Sequence, residues 1–139
     1  MQNRRRELIT FGALTGLAGL LVVLQGVWAG IFLAHDGSRD DYQGWIDVHA
    51  RGADIAIVLS ALATVLVLWR VRSARSLWIG GAVLTLVLVL ESYLGGLIRD
   101  DSKDTLTVVH IPLAMAIMAL AVWLPIRSAQ VRRSLVAQA

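Results

Sequence analysis

The chain has 139 residues, 57% of them hydrophobic and 17% charged, whereas a soluble domain of this size is about 45–50% apolar. It contains no cysteine, which excludes disulfides, thiolate metal sites and iron–sulfur clusters. Lys and Arg outnumber Asp and Glu, 13 against 10, but the excess sits in the connections between apolar blocks, so it is a topology signal and not a sign of nucleic-acid binding.

The opening MQNRRRELITFGALTGLAGLLVVLQGVWAGIFL joins a basic stretch to an apolar run. That run exceeds the about 7–15 residues of a secretory core and has no clear A-x-A cleavage site, so it reads as a retained membrane helix. Crossing a bilayer takes roughly 20 mostly apolar residues, and four segments meet that, at about 9–33, 46–69, 77–98 and 106–124. Lipid offers the backbone no hydrogen-bond partners, so each is predicted to be a helix. The stretches HDGSRDDYQGWID and RDDSKD are rich in Asp and connect spans one to two and three to four. Arg4, Arg5 and Arg6, then Arg70, Arg72 and Arg75, then Arg127, Arg132 and Arg133 fall at the opposite ends. The distribution predicts a bacterial plasma-membrane protein with both termini and the middle connection cytoplasmic. Trp45, Trp69, Trp78 and Trp123 are predicted interface anchors. RSAQVRRSLVAQA is predicted as a short basic tail on the inner membrane surface.

The predicted fold is all-α: one four-transmembrane-helix bundle built from two parallel helical-hairpin repeats. LVVLQGVWAGIFL and the span after it align with LVLVLESYLGGLI and LTVVHIPLAMAIMALAVWL. In that alignment Gln25 matches Glu91, Gly30 matches Gly96, and Val48-His49 matches Val109-His110. Both hairpins start inside and turn outside, so an axis along the membrane normal relates them. With sequential helices as neighbours, spans two and four are diagonal, and the two histidines face each other across the bundle.

Ionisable side chains inside a membrane span are costly and tend to face the bundle interior. Two imidazoles at one depth on opposing helices can supply both axial ligands of a haem iron. Gly30, Gly95 and Gly96 lie near the same depth and would admit the macrocycle. Arg51 and Arg99 lie near the outer boundary, where haem propionates would emerge. Zinc fits less well, since it takes four ligands and no third or fourth stands out. His35, in the first outer loop, reads as a solvated histidine without a partner in the second repeat. Glu91, about two turns inside span three, reads either as a proton-coupling or ligand-bonding group or as a neutral acid bonded to a neighbour such as Gln25. Asp54 is placed to pair with Arg51 at i, i+3. Pro112 removes one hydrogen bond near the start of span four.

The stretch ESYLGGLIRDDSKDTLTVVHIPLAMAIMAL resembles the third and fourth helices of one half of haem A synthase. That resemblance implies a haem-binding four-helix unit with histidines on its second and fourth helices, here His49 and His110. It departs from the family in having one half-bundle, no cysteine pair, and Asp47 at a spacing from His49 that faces elsewhere. Haem binding therefore carries over, and haem A synthase activity does not.

The expected function is a membrane haem b protein acting in electron transfer or haem handling, as an oxidoreductase component if it is part of an enzyme. Its expected partners are the lipid bilayer and a redox partner or respiratory protein, and a homodimer would rebuild an eight-helix assembly. Two alternatives stay open: a cofactor-free structural or assembly subunit, and a small transporter or lipophilic-ligand binder that uses Glu91.

Overall fold

The computed structural model describes residues 2–34, 39–101 and 103–137. Four long helices account for nearly all of them: α1 (Gln2–Leu33), α2 (Gln43–Arg70), α3 (Arg75–Asp101) and α4 (Thr107–Ala137). Short 3-10 turns at Arg39–Tyr42 and Asp104–Leu106 lead into α2 and α4. At about 1.5 Å per residue, even α3 with its 27 residues exceeds the ~30 Å hydrocarbon core of a bilayer. All four helices are long and apolar enough to cross a membrane.

The outward faces agree with that reading. Leu20, Val58, Leu86 and Met115 are 56%, 56%, 70% and 69% exposed. A helix that is apolar on every side belongs in lipid or deep in a core, and a soluble monomer rarely shows apolar patches of this extent.

Each helix packs on its neighbours in sequence and α4 closes the ring against α1, which leaves α1–α3 and α2–α4 as the diagonals. The α2–α3 connection is tight. The Val71 N–H donates to the Val67 carbonyl at 2.8 Å, Ala74 N–H returns to Val71, and Leu77 N–H to Ala74. Arg72 donates to the Leu68 carbonyl at 3.1 Å, covering one of the acceptors that a helix C-terminus leaves open. Glu7 meets Arg70 at 3.2 Å, Arg127 donates to Ser76 Oγ at 3.4 Å, and Ser128 Oγ donates to the Leu8 carbonyl at 2.7 Å. These contacts gather the start of α1, the α2–α3 turn and the end of α4 at one end of the bundle. That end is basic, and the Asp-rich connections lie at the other.

One expectation needs correcting here. The basic C-terminal segment is not a separate tail, because α4 continues through Pro125 to Ala137. Proline leaves only one carbonyl without its intrahelical donor, here that of Ala121. Gly19 packs against that same carbonyl, so close that a Cβ at Gly19 would stand 3.2 Å from its oxygen. Trp78 is half-buried and packs against the core, and Trp69 is 73% exposed.

The core is unevenly distributed along the bundle. The buried residues of α1 run from Leu8 to Val22, those of α2 from Gly52 to Val67, and those of α3 from Leu77 to Glu91. On α4, Ile117, Ala121, Leu124 and Ser128 are buried and nothing before Ile117 is. Among the described residues, the acidic-end third of the bundle therefore contains none that is fully buried. The buried residues nearest that end, Gly52 and Glu91, lie against Trp28 and Gln25 and against His110.

Candidate functional site

His49 and His110 stand near the starts of α2 and α4, at the acidic end and on diagonal helices. Both are half-buried. They lie close enough, with Glu91, to feel one another's charge.

Each imidazole is held by the helix preceding its own. His49 Nδ1 is 3.2 Å from the Gln25 carbonyl on α1, and Phe32 meets the imidazole edge-on, with centroids 5.6 Å apart and planes at 89°. With its amide nitrogen turned toward α2, Gln25 also donates to the His49 carbonyl at 2.8 Å and lies 3.0 Å from Nδ1, while its oxygen accepts from Ala53 N–H at 3.2 Å. A protonated Nδ1 donates to the Gln25 carbonyl, and a bare Nδ1 accepts from the Gln25 amide. In both tautomers Gln25 occupies Nδ1, and Nε2 makes no hydrogen bond among the described residues.

His110 repeats this arrangement on the second hairpin. Its Nδ1 lies 3.1 Å from Glu91 Oε1 on α3, with side-chain exposures of 20% and 12%. The approach is close but poorly aligned: Nδ1 and both Glu91 oxygens are buried and none makes a hydrogen bond of good geometry. The contact becomes an ion pair only when His110 is protonated. Gly95 makes room for the ring. A Cβ there would stand 3.3 Å from His110 Cε1 and 3.9 Å from Nε2.

The positions that align between the hairpins thus lie beside one another in the same pairs: His49 bonds the Gln25 carbonyl, and His110 approaches the Glu91 carboxylate without a well-aligned bond. Glu91 is not bonded to Gln25, because α1 and α3 are diagonal and each polar residue faces the histidine of its own hairpin.

The other candidates are scattered. Gly30 and Gly96 have nothing within 4 Å of where a Cβ would stand, which leaves open space beside them. Arg51 is exposed and does not pair with Asp54, also exposed; both side chains turn away from the bundle. Arg99 is engaged by the neighbouring Asp100, with Nε to Oδ1 at 2.7 Å and Nη2 to Oδ2 at 2.9 Å. His35 lies outside the described residues. No group of three or more His, Asp or Glu suited to a metal ion occurs among the described residues.

Trp28, Phe32 and Gly52 belong to the site although the sequence reading did not pick them out. Trp28 and Gln25 cover Gly52 so closely that any side chain there would overlap the indole. Gln25, Trp28 and Phe32 follow i, i+3, i+7 spacing and share one face of α1. That spacing was the available signal, but in an all-apolar helix an aromatic at such a position reads equally well as lipid-facing.

Comparison with protein-family models, curated proteins and solved structures gave no match.

Proposed function

We propose that this chain is an integral membrane haem b protein of a bacterial plasma membrane, acting in electron transfer or haem handling, with His49 and His110 as axial ligands near the outer face. One observation carries this reading: two imidazoles on diagonal helices, His49 with Nδ1 on the Gln25 carbonyl and His110 with Nδ1 3.1 Å from Glu91 Oε1, neither with a hydrogen bond at Nε2 among the described residues. Metal-ligating histidines characteristically bond their other ring nitrogen to a carbonyl or carboxylate, which orients the ring and raises its basicity.

The residues present suit the group. Gln25 and Phe32 would fix the His49 ring, and Glu91 and Gly95 the His110 ring. Gly96 is half-buried with open space where a Cβ would stand and could accept the macrocycle edge, whereas Gly30 is exposed. Arg51 turns away from the bundle and Arg99 already serves Asp100, so neither is assigned to the propionates. Bound iron would supply one-electron chemistry, with a potential set by ligation and burial.

The test is an absorption spectrum of the detergent-purified protein, oxidised and then dithionite-reduced. A Soret band with sharp reduced α and β bands is expected, lost in the His49→Ala/His110→Ala double variant. A featureless spectrum after expression with ample haem would overturn the reading.

A second reading has its own support. The buried Glu91 oxygens lack well-aligned hydrogen bonds, as a proton- or cation-coupled carrier would have them. A transporter would lose uptake on Glu91→Gln and keep it when the histidines are replaced. A chain that shows neither haem nor uptake would be a structural or assembly subunit.

A further inference from the structure

A groove of about 370 Å³ opens between α1 and α4 at the basic end, walled by Ile9, Gly12 and Ala13 on one side and Pro125, Ala129 and Arg132 on the other. Its volume is within the about 300–1,000 Å³ typical of ligand clefts. Glycine and alanine create the space: a Cβ on Gly12 would sit 3.5 Å from Ser128 Oγ, and the missing side chain leaves the groove open above the Ser128–Leu8 hydrogen bond. The walls are apolar. Ile9 is 47% exposed and Ala13 is exposed too, so the opening faces the same surroundings as the outer faces of the helices.

The charge at the mouth is one-sided. Arg132 is half-buried and makes no ion pair or hydrogen bond among the described residues. Glu7, the one acidic residue in α1, is already taken by Arg70 at 3.2 Å, and α4 contains no acid. Arg5 lies four residues before Ile9, on the same helix face and one turn nearer the end. The Leu8–Ser128 contact sets α1 and α4 in register, so Arg132, one turn past Ser128, reaches the level of the first turns of α1. An apolar cleft capped by cations without protein counter-ions fits a molecule that is apolar along its length and anionic at its end. Basic pockets between membrane helices on the cytoplasmic side bind anionic headgroups for this reason.

We propose that this groove holds an acyl chain of an anionic phospholipid from the leaflet at the basic end, with Arg132 and Arg5 on its phosphate. The inference rests on the membrane-spanning reading and is independent of haem. If the chain is released from membranes without detergent, the membrane reading fails; the lipid experiment fails on different grounds.

Detergent-purified, delipidated protein would be offered equal amounts of phosphatidylglycerol and phosphatidylcholine with matched acyl chains, and retained lipid would be read by native mass spectrometry. Phosphatidylglycerol should be retained in preference, and Arg132→Ala should cut that preference about fivefold, the effect expected of one basic side chain near an anionic headgroup. Arg72→Ala, in the α2–α3 turn away from the groove, should leave it intact. Equal retention of both lipids by the unaltered protein, or equal loss in both variants, would overturn the site. Inorganic phosphate should displace the lipid no better than chloride at equal ionic strength; specific displacement by phosphate would overturn a lipid as the occupant.

Discussion

Gln25 and Glu91 hold equivalent histidines with different chemistry, one through neutral amide groups and the other through a carboxylate. A carboxylate partner makes an imidazole a stronger donor to a metal and so favours the oxidised iron. In the haem reading, Glu91→Gln should move the midpoint potential to more positive values in a redox titration of the α band, and should weaken haem retention by about 10–100-fold, as outer-shell substitutions do. An unchanged potential would show that Glu91 does not act through His110. The glycines divide by what faces them. Gly95→Val should abolish the Soret band while far-UV circular dichroism stays unchanged, because the added carbons enter the space of the His110 ring and leave the core alone. Gly52→Leu has a different consequence. It drives into Trp28 and Gln25 and should lower stability by about 1–3 kcal/mol, as overpacking does, seen as a lower thermal midpoint in detergent.

The helices are joined by small residues and hydroxyl groups, as expected where lipid tails remove the hydrophobic drive for helices to associate. Thr85 donates to Ser60 Oγ at 3.0 Å between α3 and α2. Thr64 packs over Gly81, whose Cβ would stand 2.5 Å from its hydroxyl. A double-mutant cycle of Ser60→Ala and Thr85→Val should return a coupling of about 0.6 kcal/mol, and no more than about 1.7, measured by unfolding in mixed micelles. At the acidic end the contacts between helices run through the two histidines, His49 with Gln25 and His110 with Glu91. Their side chains are only half-buried, so haem should raise the thermal midpoint of the loaded protein above that of the His49→Ala/His110→Ala variant.

Across the whole molecule, the three basic segments meet at one end although they are far apart in the chain. The Glu7–Arg70, Arg127–Ser76 and Ser128–Leu8 contacts bring them together. The charge asymmetry predicts that end in the cytoplasm. The absence of cysteine makes the test direct. In intact cells, Asp101→Cys at the acidic end should react with a membrane-impermeant maleimide, and Ser73→Cys in the basic turn should react only after lysis. The opposite pattern would invert the topology.

The number of helices, their approximate extents and the sorting of charge to two ends were legible in the sequence, because apolar length and basic flanks are local properties of a chain that must satisfy its own backbone in lipid. Gln25, His49, Glu91 and His110 stood out in the sequence too, since polar residues are conspicuous in an apolar helix. Other features depended on how the helices meet. Glu91 reaches His110 and not Gln25 because α1 and α3 lie on a diagonal. Arg51 and Asp54 turn outward because Gly52, between them, takes the inward position beneath Trp28. The end of α4 runs on as helix past Pro125 because a single proline costs it only one hydrogen bond. What packs around the histidines was hidden for the same reason: an apolar side chain looks alike in sequence whether it faces lipid or a neighbour, and only the placement of the four helices separates the two.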